Sequence, residues 1–243
     1  MRLARVPAVQ SRYGLLVAPS RRTPTYAKPI LVREGEQPRE LNRLDIKNRT
    51  PTSQAIEKII IEYLERAWKE VDALIVLDQV SEPNCGVVTD RVRARLADLA
   101  ERDPTRFVLA DSRERIREFR NVCVKPNERE AAVYPGGPAA FANDLGRHVF
   151  QTLGERGIDL YGPDGTRSHV PAYPVGGPTD IVGAGDSTSA GIACAVMAGA
   201  TFEQAAAFGN LVASVTVQQI GVTGTANPDQ VRARWRQASA RPA

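Results

Sequence analysis

An unbroken run of five apolar residues at positions 73–77 constrains the fold of this chain more than any other stretch. It shows no alternation of polar and apolar residues, which is typical of a strand that is buried on both faces of a parallel sheet. The segment before it, 56–67, carries apolar side chains at helical spacing, and the residues at 50–53 provide helix-start signals. We therefore expect a helix that leads into a buried strand.

The same alternation of helix and strand continues along the chain. The sequence predicts a helix that begins at Thr89, strands at 107–110 and 122–124, a helix at about 139–145 and a strand at about 148–152. Strands that alternate with helices indicate a mainly parallel sheet flanked by helices, which is an α/β fold.

Polar residues stand at the carboxyl ends of four successive predicted strands: Asp78, Asp111, Asn127 and Thr152. Ligands of open parallel sheets bind outside the carboxyl ends of the strands, so these residues are candidates for a site. Asp, Asn and Thr are also favoured in turns and helix caps, so turn chemistry is the alternative.

A glycine-rich turn lies near the C-terminus, where Gly183, Ala184 and Gly185 precede Asp186 and a predicted helix of small residues. The first N–H groups of a helix lack partners within the helix and can bind an anion. A carboxylate beside a bound phosphate is useful if it accepts a proton from a hydroxyl that attacks that phosphate. A favourable interaction of Asp186 with the helix dipole is the structural alternative.

Composition excludes several classes of protein. The chain has 243 residues, of which 42% are hydrophobic, and its longest apolar stretch is too short to cross a bilayer. Residues 1–50 carry a net charge of +7 but lack interleaved aromatics and dense basic blocks, which argues against nucleic-acid binding. Three widely spaced cysteines form no metal-ligand pair and indicate reduced thiols, so we expect a cytoplasmic protein.

Several of these segments together resemble the ribokinase-like (PfkB-type) carbohydrate kinases. The turn at 180–186 resembles their second signature, residues 127–130 resemble their Asn-x-x-Glu segment, and residues 152–154 resemble their Thr-Leu-Gly turn. Further segments resemble the heptose-phosphate kinase branch of that family: residues 25–28, 43–45, 209–214 and 221–226. The likeness covers roughly residues 12–238.

The resemblance implies a ribokinase-like three-layer fold that forms a single domain over residues 1–243. Lid or edge strands are expected at about 10–48 and a nucleotide-binding α/β core at about 52–240. It implies ATP and Mg²⁺ as cofactors, with K⁺ as a further cation, and a sugar or sugar phosphate as the acceptor. It also implies a homodimer formed through the lid strands, with no nucleic-acid or membrane partner.

The resemblance assigns roles to individual residues. Asp186 would be the general base, and the backbone N–H groups of Gly183, Ala184 and Gly185 would form the anion hole. Asn127 and Glu130 would hold Mg²⁺ through water. Without the resemblance, Glu130 is a solvated helix residue.

The remaining assignments concern the nucleotide and a monovalent cation. Thr152 and Gly154 would lie near the nucleotide phosphates or ribose, and Asn210 near the adenine. Asp180 would help to bind the monovalent cation. Taken alone, Asn210 is a polar helix residue and Asp180 caps a turn. Two roles stay open for each of the cations Arg113 and Lys125. Arg113 could stabilise phosphate charge or could pair with Asp111. Lys125 could stabilise phosphate charge or could only shield its turn.

One departure from the family concerns the first 80 residues, in which the only glycines are Gly14 and Gly35. Family members begin with a strand that carries an acidic residue and then a Gly-Gly segment and an Asn that bind the sugar, and no such segment is found here. We therefore expect an N-terminally incomplete fold with an exposed apolar sheet edge. The alternatives to an active kinase are an inactive nucleotide-binding relative, a subunit that needs a partner chain, and a dinucleotide-binding oxidoreductase. A dinucleotide-binding oxidoreductase would need a Gly-x-Gly-x-x-Gly after an early strand, and this chain has none there.

Overall fold

The computed structural model describes residues 15–36 and 39–240 and divides into two compact units. The first comprises Met1–Lys69 and Val80–Arg93, and the second comprises Glu70–Gln79 and Ala94–Ala243. The part of the predicted lid segment at 10–14 lies outside the described residues. Within the described ranges, no helix combines the length and apolar character that a membrane span needs.

The first unit contains short strands and one long helix. The strands form two antiparallel pairs, β1 with β4 and β2 with β3. Their bounds, with those of the helix, are β1 Thr25–Ala27, β2 Ile30–Leu31, β3 Arg39–Glu40, β4 Leu44–Ile46 and α1 Gln54–Glu70. Helix α1 confirms the helix predicted from the apolar spacing at 56–67. The Arg21 guanidinium donates to the carbonyl oxygens of Thr50, Pro51 and Cys85 and so joins distant segments of this unit.

The second unit is built on a six-stranded sheet. Its strands and helices are β5 Ala73–Asp78, α2 Asp90–Arg102, β6 Phe107–Ser112, β7 Cys123–Val124, α3 Glu128–Ala131, α4 Gly137–Leu145, β8 Val149–Thr152, β9 Ile158–Tyr161, β10 Arg167–Val170, α5 Ala184–Met197, α6 Phe202–Thr216 and α7 Pro228–Ser239. The first four residues of α2 belong to the first unit. Strands β5 to β8 are parallel, whereas β9 and β10 are antiparallel to their neighbours, and the order is β10-β9-β8-β7-β6-β5. The mainly parallel sheet flanked by helices confirms the predicted α/β fold.

Strand β5 differs from its prediction. It lies at the edge of the six-stranded sheet, most of its apolar side chains are only half-buried, and Leu77 is 42% exposed. Burial on both faces was therefore a wrong prediction for this strand. The apolar run is typical of an interior strand, but among the described residues β5 pairs with β6 alone. An exposed apolar sheet edge was expected from the sequence.

The core of the second unit lies between the sheet and helices α5 and α6. Phe107, Leu109, Phe150 and Ile192 are almost fully buried there. The two helices approach closely at Gly191 and Gly209, where a Cβ atom on Gly191 would lie 2.9 Å from the Gly209 Cα. Helix α5, whose N-terminus carries the glycine-rich turn, is therefore packed tightly against α6.

Candidate functional site

The glycine-rich turn ends at the N-terminus of α5. Gly183 precedes the helix with φ +82°, in the left-handed region that favours glycine. A Cβ atom there would lie 2.8 Å from Thr223 Cγ2, so both conformation and space require glycine. The turn and helix start therefore occur where the sequence predicted them, and Asp186 lies in the first helical turn with its side chain exposed.

The three N–H groups predicted to form the anion hole differ in their surroundings. The Ala184 N–H donates to the Ile181 carbonyl oxygen at 3.1 Å and is engaged within the turn. The Gly185 and Asp186 N–H groups lie in the first turn, where the helix itself offers no acceptor. In this conformation the helix end therefore offers an anion the amides of Gly185 and Asp186 rather than that of Ala184.

A buried lysine lies against the same helix end. Lys125 Nζ is 2.7 Å from Asp111 Oδ2, and both side chains are largely buried. A Cβ atom placed on Gly185 would lie 3.5 Å from that ammonium nitrogen, so the first turn of α5 directly faces it. A positive charge and a helix N-terminus both favour an anion. Of the open roles for Lys125 and Arg113, the structure shows Lys125 paired with Asp111, whereas Arg113 Nε donates to Gln79.

The two residues predicted to hold Mg²⁺ bond to each other. The Asn127 side chain accepts from the Glu130 N–H and the Glu130 carboxylate accepts from the Asn127 N–H, both at 2.9 Å, which is a capping box at the start of α3. Glu130 is 9% exposed, and burial, with a smaller contribution from Asp111, raises the pKa of its carboxyl group. The solvated helix residue expected without the resemblance is therefore not what the structure contains.

The oxygen donors at this sheet edge suit a hard cation. Asp111, Asn127 and Glu130 supply carboxylate and amide oxygens, which Mg²⁺ prefers. In residues 15–36 and 39–240, no group of three or more His, Cys, Asp or Glu residues could hold a metal ion. This donor set fits an ion that takes few protein ligands and completes its shell with water and phosphate oxygens.

The end of β8 lies beside this segment. The Thr152 N–H donates to the Pro126 carbonyl oxygen at 2.9 Å, and Thr152 forms a parallel bridge with Asn127. Gly154 follows with φ +62° and opens a short 3₁₀ turn over Gly154–Arg156. The structure thus brings the Asn-x-x-Glu and Thr-Leu-Gly segments together.

Asn210 and Asp180 have structural partners. Asn210, buried in α6, donates from Nδ2 to the carbonyl oxygens of Val170 and Pro171 at 3.1 Å and ties α6 to the segment after β10. Asp180 accepts from the N–H groups of Val182 and Gly221 at 3.0 Å, so it caps its own turn and joins it to the segment after α6. Their roles toward adenine and a monovalent cation stay predictions.

Asp78 belongs to a separate buried network. Its carboxylate accepts from Ser112 Oγ at 2.8 Å and from Arg115 Nη2 at 3.0 Å, and all three residues are buried. These bonds join the ends of β5 and β6. The polar strand ends therefore divide into a structural network around Asp78 of β5 and a cluster at β6 to β8 that includes Asp111, Asn127 and Thr152.

Comparisons with known proteins identify the family and the fold of the chain. A family model described as pfkB family carbohydrate kinase matches residues 20–230. The chain is similar to the bifunctional protein HldE of Trichlorobacter lovleyi, with 27% identity over 239 residues that cover 91% of this chain and 46% of that protein. HldE of a Bradyrhizobium species is 28% identical over 240 residues, which cover 93% of this chain and 47% of that protein. The chain spans about half the length of these curated relatives.

Solved structures with the same fold are also kinases. A ribokinase from Thermotoga maritima matches with a TM-score of 0.58 and 21% identity, covering 87% of this chain and 70% of that one. A nucleoside kinase from Burkholderia thailandensis, solved with inosine, matches with a TM-score of 0.60 and 16% identity. The match covers 90% of this chain and 71% of that one. The fold is therefore ribokinase-like, as the sequence motifs predicted.

Proposed function

The chain belongs to the pfkB family of carbohydrate kinases, and from that membership we propose that it transfers the γ-phosphoryl group of ATP to a hydroxyl of a sugar or sugar phosphate. The observation that carries the proposal is the helix end at α5. There an exposed Asp186 carboxylate lies in the first turn, and the buried Lys125 ammonium faces the same turn at Gly185.

Asp186 is proposed as the general base. It accepts the proton of the acceptor hydroxyl while that oxygen attacks the γ-phosphorus in line and the bond to the ADP oxygen breaks. The N–H groups of Gly185 and Asp186 and the Lys125 ammonium stabilise the charge on the transferring group. Gly183 and Ala184 complete the predicted anion hole, although the Ala184 N–H would first have to leave the Ile181 carbonyl oxygen.

The cofactors follow from the surrounding residues. Asn127 and Glu130 would hold Mg²⁺ through water, with Asp111 nearby, and the ion neutralises charge on the nucleotide phosphates when it is bound. Thr152 and Gly154 are proposed to lie near the nucleotide phosphates or ribose, Asn210 near the adenine, and Asp180 near a monovalent cation such as K⁺.

A sugar phosphate of the heptose type is the proposed acceptor. The segments at 25–28 and 43–45 support this acceptor because they resemble the heptose-phosphate kinase branch, and the net charge of +7 on residues 1–50 suits a phosphorylated substrate. The strands β1 and β4 support a homodimer formed through the lid strands, since their residues Tyr26, Leu44 and Ile46 expose apolar surface. We also propose that the whole chain acts as one kinase domain in the cytoplasm.

A second candidate function is nucleotide binding without phosphoryl transfer, in a chain that needs a partner to complete its sheet. The half-buried apolar side chains of the edge strand β5 favour this candidate, because the strands of a parallel sheet are normally buried on both faces. An oxidoreductase that binds a dinucleotide has no such support.

Phosphoryl transfer from ATP to a panel of heptose phosphates and hexoses tests the proposal. Asp186→Asn should lower the transfer rate by about 10²- to 10⁴-fold, the usual contribution of a general base. Glu203→Gln, which changes an acidic residue in the first turn of α6, is the matched control and should leave the rate unchanged. ATP binding without transfer to any acceptor would support the second candidate, and NAD binding without ATP binding would contradict both.

A further inference from the structure

A groove of about 760 Å³ runs between helices α5, α6 and α7. It lies along the C-terminal half of α5, where Cys194 lines it about 12 Å along the helix axis from Asp186 at 1.5 Å per residue, and Ala198 lines it just after the helix ends. The groove is therefore separate from the strand ends and from the N-terminus of α5, and it has no role in the proposed phosphoryl transfer.

The walls of the groove are apolar and aromatic. Phe208 and Leu211 of α6 form one side, and Trp235 of α7 and Tyr173 form the other. The Trp235 and Tyr173 rings meet edge to face at 6.4 Å, and Trp235 remains 53% exposed. An exposed tryptophan beside other aromatic rings offers a large apolar surface to a ligand.

Helix α5 contributes unusual surface to this groove. Its residues are apolar or small on nearly every side, and helices of that kind are normally buried all round. Cys194 of this helix and Ala198 at its C-cap are nevertheless exposed along the groove. The groove therefore leaves open apolar helix surface that an occupant would bury.

The charge at the groove has one sign. Arg232 and Arg236 of α7 are among its lining residues, and within the described part of the chain no Asp or Glu lines it. Arg232 already forms an ion pair with Asp229 at 2.6 Å, so Arg236 supplies most of the available positive charge. An apolar groove with an arginine at its border complements a ligand that has an apolar body and one negative group.

We propose that this groove binds a small aromatic anion, a flat system of about two rings that carries one carboxylate or equivalent group. The volume lies within the range of about 300–1,000 Å³ typical of small-molecule sites. The α6 wall from Gln204 to Leu211 is about 10 Å long at 1.5 Å per residue, which matches two fused rings with their acidic group. The rings would pack between Phe208 and Trp235, and Arg236 would pair with the anionic group.

Cysteine reactivity provides a direct test in the full chain. Cys194 is exposed, whereas Cys85 and Cys123 are buried, so a thiol reagent such as iodoacetamide should modify Cys194 first. Saturating 2-naphthoate should slow that modification. Calorimetric titration should show that 2-naphthoate binds about tenfold more tightly than its uncharged analogue 2-naphthamide, because a charge-assisted pair with Arg236 is lost in the amide.

Variants separate the groove from nonspecific binding. Arg236→Gln should abolish the preference for the naphthoate, whereas Arg120→Gln, which removes an exposed arginine outside the groove, should preserve it. Unchanged Cys194 reactivity with 2-naphthoate, or an equal preference in the Arg236→Gln protein, would overturn the proposal. So would a dimer in which Cys194 is already protected without ligand, because a second copy would then occupy the groove. None of these outcomes depends on kinase activity.

Discussion

Lys125 Nζ lies 2.7 Å from Asp111 Oδ2, with the lysine side chain 4% and the aspartate side chain 12% exposed. The pair joins the ends of two adjacent strands, β6 and β7, directly below the N-terminus of α5. It also places the ammonium where the proposed phosphoryl group would bind. The pair therefore contributes to the fold and, under the proposed function, to catalysis.

Removing one partner of this pair should destabilise the protein strongly. Lys125→Met leaves the Asp111 carboxylate buried without its partner, which typically costs about 3–5 kcal/mol in the free energy of unfolding. The double variant Asp111→Leu/Lys125→Met should recover most of that loss, because no unpaired charge remains. Urea denaturation measures both values. Lys58→Met, which removes the exposed pair with Glu62, is the control and should change stability little. Equal stability of the single and double variants would contradict this account of the pair.

The close crossing of α5 and α6 gives a second prediction. An added Cβ atom in Gly191→Ala would lie 2.9 Å from the Gly209 Cα, so the helices must separate. Overpacking of this kind costs about 1–3 kcal/mol and should exceed the gain of about 1 kcal/mol from the better helix propensity of alanine. The urea midpoint should fall, and transfer activity should fall with it because α5 carries Asp186.

Gly176→Ala is the matched control for that crossing. No heavy atom lies within 4 Å of a Cβ placed on Gly176, and its φ is not in the left-handed region. Its urea midpoint should stay close to that of the wild type. If Gly191→Ala were as stable as Gly176→Ala, the close crossing would not be a constraint on the position of α5.

Much of the architecture could be predicted because it depends on local patterns. The helical spacing at 56–67 correctly located α1, and the glycine-rich turn at 183–185 correctly located the start of α5. The edge position of β5 could not be read from its apolar run, since burial depends on which strands pair with it. In the same way, the resemblance assigned Asn127 and Glu130 to a metal, but nothing in it indicated that the two residues form a capping box with each other.

In the candidate site too, local sequence patterns indicated some features, whereas others depend on contacts between distant segments. Motif spacing indicated the turn at Gly183 and the acid at Asp186, but it left the role of Lys125 open. The only local signal was a lysine directly after a buried strand, two residues before Asn127. Its pairing with Asp111 and its proximity to Gly185 arise from three separate segments of the chain, so they required the folded structure.

Glu130 should give the proposed kinase a pH-dependent requirement for Mg²⁺. Burial raises the pKa of its carboxyl group, and the carboxylate must be ionised to attract the ion. The Mg²⁺ concentration for half-maximal activity should therefore fall as pH rises through that raised pKa. Glu130→Gln should need more Mg²⁺ than the wild type above that pKa, approach the wild-type requirement below it, and lose this pH dependence, while glutamine still satisfies the capping box.

The neighbouring Glu128→Gln is the control for the magnesium prediction. Glu128 is exposed on the same short helix and pairs with Arg156, so its loss should leave the Mg²⁺ requirement unchanged. Activity titrations against Mg²⁺ at several pH values measure the effect. A Glu130→Gln protein with a wild-type Mg²⁺ requirement would remove Glu130 from the proposed metal site.

Asp159 should contribute stability that disappears in acid. Its buried carboxylate accepts from Arg167 at 2.8 Å and lies 2.7 Å from His169 Nδ1. Burial raises the pKa of Asp159, but the hydrogen bonds from His169 and Arg167 outweigh burial and hold the pKa below its usual 3.8. The stabilisation is therefore fully present above that usual value and is lost as pH falls through the lowered folded-state pKa.

Asp159→Asn should cost about 1–2 kcal/mol near neutral pH, a modest value because both partners are half-exposed or more. Urea denaturation at several pH values should show the two proteins converging as the solution becomes acidic. Asp98→Asn, at an exposed position of α2, should show no such convergence, and a constant difference for Asp159→Asn down to the most acidic pH would contradict the lowered pKa.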